Sequence, residues 1–302
     1  MEVKKRTPSR ELQILNSLSY RSILSEKENF HYLNLKKGYE GELLFDRIVD
    51  QHLHSECLII KDLLLTVYNT TFQIDTLIIF PNTIELFEIK NYEGEYTYDK
   101  DKFYKNADYK ITNPEHQIER AETLLRQLLK SHGFSSSINA TVVFINPEFT
   151  LFNAPTDKPF ILPSQINTLL NKLNSNPSKL SAQNKRLAEK LIALHQKTSP
   201  RQILPKYNYD QLRKGISCHH CNSFSLVAKG HSCICNKCGE RELLSNAIIR
   251  STRELKLLFP DMRVTTSNIF DWCRIIPSKQ RIRRILMKHL KLISNGRWSY
   301  FE

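Results

Sequence analysis

Residues 73–90 read QIDTLIIFPNTIELFEIK. Two runs rich in β-branched and aromatic residues, 73–80 and 83–90, flank Pro81-Asn82, a combination that predicts a β-hairpin. A two-residue loop pairs Phe80 with Thr83 and carries the register back to Asp75 opposite Glu88, with Cα atoms about 4.5–5.5 Å apart. Proline cannot supply the positive φ that the favoured primed turns want, so a loop one or two residues longer is the alternative, shifting the pairing by one step. In both cases the two carboxylates are neighbours along the ladder. Glu88 and Lys90 are two apart on one strand and share a face, while Phe87 and Ile89 point the other way.

Two carboxylates and an ammonium converging at one end of a hairpin are costly to bury without a compensating charge. Oxygen ligands at this spacing suit Mg²⁺ or Mn²⁺, which keep several waters and share phosphate oxygens. Such an ion polarises a scissile phosphate and acidifies a bound water, and a nearby lysine positions that water and balances developing charge. Phosphodiester hydrolysis fits this set of groups.

The flanking pattern is that of an α/β domain. GYEGELLFDRIVDQHL at 38–53 places Leu43, Leu44, Ile48 and Val49 on one helical stripe, and CLIIKDLLLT at 57–66 reads as a strand. Asn113-Pro114 opens a periodic helix through Ile118, Ala121, Leu124, Leu125, Leu128 and Leu129, and TVVFIN at 141–146 is a buried strand. The expected order is helix, three strands, helix, strand. Upstream, residues 8–29 read as an N-terminal helix with Thr7 as cap and Pro8 in the first turn. Downstream, 163–197 reads as helices closing the first domain, and Pro200 and Pro205 mark its boundary. Glu93, Glu95, Asp99 and Asp101 alternate with Tyr and Lys and read as a solvated hairpin edge; His116 reads as a surface residue.

GYEGE at 38–42, QID at 73–75, EIKN at 88–91 and NPEHQ at 113–117 resemble the nuclease-related domain family, a branch of the PD-(D/E)xK nucleases, over roughly residues 36–150. The resemblance implies a restriction-endonuclease-like αβββαβ core in which Asp75 and Glu88 ligate the metal and Lys90 assists the attacking water. It further implies that Glu42 binds the metal or its water shell and that Gln117 supports the site from behind. Gly38 and Gly41 are expected to allow close packing at the start of the first helix.

Seven cysteines are an odd number, and Cys218, Cys221, Cys235 and Cys238 form two CxxC pairs separated by 13 residues. That is zinc-ribbon spacing, and four thiolates satisfy Zn²⁺ without an open position, so the expected role is structural. Cys233 is a spare thiol, and His219 or His220 is an alternative ligand. Cys57 and Cys273 read as buried small residues. The end of the chain, TTSNIFDWCRIIPSKQRIRRILMKHL then KLISNGRWSYF, predicts a short helix capped by Ser267 or Asn268 and a break near Pro277. A basic helix follows from Ser278 with Arg281, Arg283, Arg284, Lys288 and Lys291, then a hairpin at Asn295-Gly296. This succession resembles a winged helix-turn-helix, whose basic helix enters the major groove or tracks phosphates and whose wing carries Arg297 and Trp298. The alternative is a protein-contact module in which Ile282, Ile285, Leu286 and Leu290 pack beneath an incidental basic face.

Charge points the same way. Of a net +13, residues 201–302 carry +12, from nineteen Lys and Arg against seven Asp and Glu, which predicts a polyanionic partner for that third. With 302 residues, 40% hydrophobic and 25% charged, the chain excludes both a mini-protein and a disordered polymer. No apolar run approaches the ~18 residues of a membrane span. The start, MEVKKRTPSRELQ, lacks an apolar core, so no signal peptide is expected and a cytoplasmic location is.

The expected domains are 1–35 (N-terminal helix), 36–200 (nuclease-like), 206–245 (zinc ribbon) and 246–302 (basic, winged-helix-like). The expected function is a Mg²⁺- or Mn²⁺-dependent nuclease acting on nucleic acid, DNA first, delivered by the ribbon and basic tail. The alternative is a non-enzymatic DNA-binding protein using the nuclease-like fold as a scaffold; RNA fits the ribbon equally well.

Overall fold

A computed structural model describes residues 1–106, 109–176, 179–200, 202–294 and 299–302. The chain begins with β1 (Glu2–Lys4), α1 (Arg10–Arg21) and α2 (Glu26–His52). There follow β2 (Leu58–Val67), β3 (Thr70–Ile79), β4 (Thr83–Lys90), β5 (Gly94–Asp99), β6 (Lys102–Lys105) and β7 (Tyr109–Ile111). Next come α3 (Pro114–Ser131), β8 (Ser137–Phe144), β9 (Phe149–Phe152), β10 (Phe160–Ile161), α4 (Ile166–Asn174) and α5 (Ala182–Ala193). It divides into two compact units, Met1–Ser9 with Leu33–Arg201, and Arg10–Tyr32 with Gln202–Glu302.

In the first unit a mixed sheet runs β1-β2-β3-β4-β8-β10, parallel at β1–β2, β4–β8 and β8–β10 and antiparallel at β2–β3–β4. The expected helix, three strands, helix, strand order is present as α2, β2, β3, β4, α3, β8. A second sheet, β7-β6-β5-β9, is built largely from the insertion between β4 and α3. Both faces of the main sheet are buried, which is why its strands read as near-continuous apolar runs. Leu77, Ile79, Leu86, Val142 and Phe144 belong to one cluster with residues of α3 and α5. Ile78, Phe80, Phe87, Ile89 and Val143 belong to another with Phe45 and Val49 of α2 and Leu170 of α4. The second sheet adds Tyr96, Tyr98 and Phe103 to the first of these clusters. Segment 93–101 is therefore not simply a solvated edge: its aromatic residues are core, and only the intervening acids face water.

The β3–β4 loop holds two residues, as the shorter alternative requires: Ile79 pairs with Ile84, and the register runs to Thr76 opposite Phe87. Asn184 of α5 donates to the carbonyls of Phe80 and Pro81, so the turn is held from outside rather than by primed-turn geometry. Strand alternation breaks at one level of the sheet. Leu58 and Ile60, then Leu63 and Leu65, share a cluster, so the spacing steps by three across Asp62, whose φ is +54°. Opposite, the same step falls between Ile74 and Leu77, across Asp75 and Thr76.

Helix α2 is continuous from Glu26, so the expected boundary at 35/36 lies inside it and both Gly38 and Gly41 are helix-interior residues. Their environments differ. A Cβ on Gly41 would lie 2.5 Å from Asn91 Cβ at the end of β4, whereas one on Gly38 would meet nothing within 4 Å. Close packing is thus required at Gly41 alone.

The second unit contains α1 and a three-stranded sheet of β11 (Leu226–Lys229), β12 (Ser232–Cys235) and β13 (Arg241–Leu243). It continues with α6 (Leu244–Leu258), α7 (Thr266–Cys273), α8 (Lys279–His289), β14 (Leu292–Ile293) and β15 (Tyr300–Phe301). Helix α1, expected to stand apart and to begin near Pro8, starts at Arg10 and is part of this unit. Arg21 at its end is buried, bonded to Glu254 at 2.5 and 2.8 Å and to the carbonyls of Arg213 and Gly215, with its guanidinium 4.1 Å from the centre of Trp272. The cap of α7 is Thr265, not Ser267 or Asn268, because its hydroxyl accepts from Asn268 N–H. Ser278 caps α8 as expected. β14 and β15 pair antiparallel, while Asn295-Gly296, Arg297 and Trp298, the expected turn and wing, lie outside the described residues. Among the described residues no helix is long and apolar enough to cross a membrane.

The contrast between the two glycines is measurable by urea unfolding. Gly38→Ala is expected to stabilise the chain by up to about 1 kcal/mol, as alanine does in an unobstructed helix interior. Gly41→Ala is expected to destabilise it by about 1–3 kcal/mol through overpacking against Asn91. Equal effects at the two positions would contradict the α2–β4 contact.

Candidate active site and metal centre

The catalytic candidates cluster where β3 and β4 part. Beyond Thr76–Phe87 the ladder does not continue: the buried Asp75 side chain takes the place of a backbone acceptor, and its Oδ2 accepts from Ile89 N–H at 2.8 Å. One strand farther along, Lys90 Nζ donates to Glu88 Oε1 at 2.7 Å. Asp75, Glu88 and Gln117 line one cleft of about 310 Å³ together with Gln73, His116 and Arg120. His116, Gln117 and Arg120 reach it because they are three and four residues apart on α3.

Local sequence explains how α3 is aimed. Asn113 caps it by accepting from Glu115 N–H at 3.0 Å and donates to the Asp101 carbonyl, Pro114 occupies the first turn, and the buried Glu115 pairs with Lys158 at 3.0 Å. The asparagine that ends EIKN has a similar positioning role. Asn91 donates to the Lys37 carbonyl of α2 at 2.8 Å and accepts from Asn146, which joins the end of β4 to the helix carrying Glu42.

Glu42 is paired with an arginine. Its carboxylate accepts from Arg6 at 2.6 Å, and Arg6 also holds Asp46 at 2.8 and 3.2 Å, the Asp75 carbonyl at 2.8 Å and Thr76 Oγ1 at 2.9 Å. Asp46 in turn lies 3.7 Å from the buried Lys61. Among the described residues the only group of three or more His, Cys, Asp or Glu whose ligand atoms lie within 4.8 Å of one another is the cysteine cluster, so Glu42 forms no such compact set with Asp75 and Glu88. Arg6 and Arg120 are the residues that sequence reasoning passed over, while His116, exposed as expected, lines the cleft beside Gln117. Arg120 was recoverable from its spacing to Gln117. Arg6 was not, since only tertiary contact brings residue 6 to residue 75.

Burial, and then the charges of Glu88 and Glu42, push the Asp75 carboxyl well above its ordinary value, against the Ile89 N–H and Lys90, which pull it down. Burial likewise lifts Glu42 to about 7 against Arg6. Lys90 moves up: burial opposes its charge, but Glu88, Tyr92 and Asp75 outweigh that, so the ammonium stays charged. A buried carboxylate beside a second oxygen donor is a pair of groups that could hold a hard divalent cation. A second cleft, of about 570 Å³, also opens on His116 and carries Lys100, Lys102 and Lys110.

In the second unit the Sγ atoms of Cys218, Cys221, Cys235 and Cys238 lie within 4.8 Å of one another, with Cys218–Cys238 and Cys221–Cys235 both at 3.7 Å. Tetrahedral thiolates at ~2.3 Å from zinc stand ~3.8 Å apart, so the spacing fits that ion and is far too long for a disulfide. His219 faces Glu240 and Glu242 instead, and Cys233 is buried and donates to the Glu242 carbonyl. Both are outside the cluster. Cys57 and Cys273 are buried, as expected.

Residues 37–145 match the family model described as nuclease-related domain. That span contains Glu42, Asp75, Glu88, Lys90 and Gln117, and it supports a nuclease-related domain there. No curated protein and no solved structure matches the chain.

Two measurements follow from these environments. The native chain holds the Glu42 proton more tightly than the unfolded chain, so this residue's stabilising contribution is complete below about 4.5 and is lost as pH rises through about 7. In buffer without Mg²⁺ or Mn²⁺, urea unfolding should therefore show wild type losing stability relative to Glu42→Gln across that window, and a pH-independent difference would contradict it. Elemental analysis should find a single zinc per chain, lost in Cys218→Ser and Cys238→Ser with a lower melting temperature, and kept in Cys233→Ser.

Proposed function

We propose that the first unit is a Mg²⁺- or Mn²⁺-dependent nuclease of the PD-(D/E)xK type, acting on nucleic acid with DNA as its principal substrate. The observation that carries this reading is Asp75 and Glu88 facing one cleft where two strands diverge, with Lys90 bonded to Glu88, inside the span similar to nuclease-related domains. Asp75 and Glu88 are the groups that would hold the cation. When bound it would polarise the phosphodiester and acidify a water.

The chain's own residues supply the rest. The Ile89 N–H fixes the Asp75 carboxylate by bonding Oδ2. Lys90, kept charged by its neighbours, offsets negative charge developing on the phosphoryl oxygens. Gln117, His116 and Arg120 line the cleft as donors for phosphate oxygens, and Lys100, Lys102 and Lys110 extend positive charge along the neighbouring cleft. Glu42 is a positioning residue acting through Arg6 rather than a ligand. The excess positive charge of the second unit raises the concentration of a polyanion near a catalytic half that is close to neutral.

A cleavage panel over duplex, single-stranded and RNA substrates, with and without Mg²⁺ or Mn²⁺, tests this reading. Asp75→Ala and Lys90→Ala are each expected to reduce metal-dependent cleavage by about 10²-fold or more while gel-shift binding persists. Undiminished cleavage by either variant overturns the assignment. Binding by wild type without any metal-dependent product favours the non-enzymatic alternative.

A further inference from the structure

A cleft of the second unit, about 690 Å³, lies between α8 and the Gly230-His231 turn that joins β11 to β12. Arg281, Arg284 and Lys288 line it from α8 at spacings of three and four, one helical stripe about 10 Å long. His231 faces it from the ribbon and Ser245 from the first turn of α6. No lining residue is acidic.

Several cations elsewhere in the chain are ion-paired. Arg6, Arg21, Lys61 and Arg250 each have a carboxylate partner. Arg281 instead donates to the Gly230 carbonyl, a neutral acceptor that ties the helix to the ribbon turn, and among the described residues Arg284 and Lys288 form no ion pair. Three cations are thus gathered in a concave surface without internal neutralisation, which favours an external anion.

We propose that this groove, built jointly by the cysteine-bound ribbon and α8, is a binding site for the phosphodiester backbone of nucleic acid. A stripe of about 10 Å spans about three nucleotides at ~3.4 Å rise, so adjacent phosphates of one strand match a row of cations. The ribbon is then part of the binding surface, because its turn supplies one wall and its Gly230 carbonyl orients Arg281. The proposal rests on the nucleic-acid reading above but not on catalysis.

The test is fluorescence anisotropy of the full chain with a labelled DNA duplex over a series of salt concentrations. Arg284→Glu/Lys288→Glu is expected to weaken binding about 10-fold or more and to reduce the slope of log K against log salt by about two. His231→Glu is expected to weaken it as well. Lys185→Glu/Arg186→Glu, an equal charge change on exposed residues of α5, should leave binding within about twofold.

Equal losses in the two double variants would reduce the effect to net charge and overturn the site. Loss on α8 without any effect of His231→Glu would overturn the joint groove. Competition by polyglutamate or by phosphatidylserine vesicles as effective as that by unlabelled DNA would overturn the assigned ligand. Since binding and cleavage are read separately, groove-dependent binding without cleavage sinks only the hydrolase reading. Cleavage with undiminished binding by the groove variants sinks only this one.

Discussion

The burial of Asp75 at the parting of β3 and β4 rests on partners for its Oδ2 and for its backbone carbonyl. The side chain takes the Ile89 N–H that the ladder would otherwise use, and the backbone carbonyl, having no β4 partner, receives Arg6. A buried donor or acceptor left unpaired costs about 1–3 kcal/mol, so the strand ends could not separate here without these substitutes. Arg6 in turn is tolerable in the interior because Glu42 and Asp46 offset its charge. The cleft is therefore a consequence of one interlocking set of charges whose arginine enters from the first nine residues.

Arg6 pairs with Glu42 and Asp46 of α2, while Lys90 pairs with Glu88 and Arg120 lines the cleft beside it. Burial first, and then the charges of Glu88 and Glu42, raise the proton affinity of Asp75, and a divalent cation would oppose that rise. The second unit's interior arginine, Arg21, is paired with Glu254 and stacked on Trp272, whereas among the described residues Arg284 and Lys288 of α8 form no ion pair. An interior charge requires pairing to offset its desolvation, whereas a surface charge remains solvated without it.

The hairpin, its register and the Glu88–Lys90 pair were legible because turn length and the two-residue repeat of a strand are local properties, and the cysteine cluster was legible because ligand spacing is local too. Less could be read where contacts join distant segments. Segment 93–101 looked like a solvated edge because its acids are in plain view, while the burial of Tyr96, Tyr98 and Phe103 depends on a sheet completed by β9. Glycines at 38 and 41 suggested a helix start, yet α2 passes through both, since packing along its length outweighs a propensity cost of about 1 kcal/mol each.

Sequence alone determined the element order of the first unit, the β3–β4 register, the thiolate set and the concentration of positive charge in the last third, because each follows from periodicity, spacing or composition within a short window. Tertiary structure decided that Arg6 engages Glu42 and that α1 belongs with the C-terminal residues. It also decided which cations are neutralised and which face solvent. Those outcomes depend on which charges meet across tens or hundreds of residues in a low-dielectric interior, and no local pattern specifies that meeting.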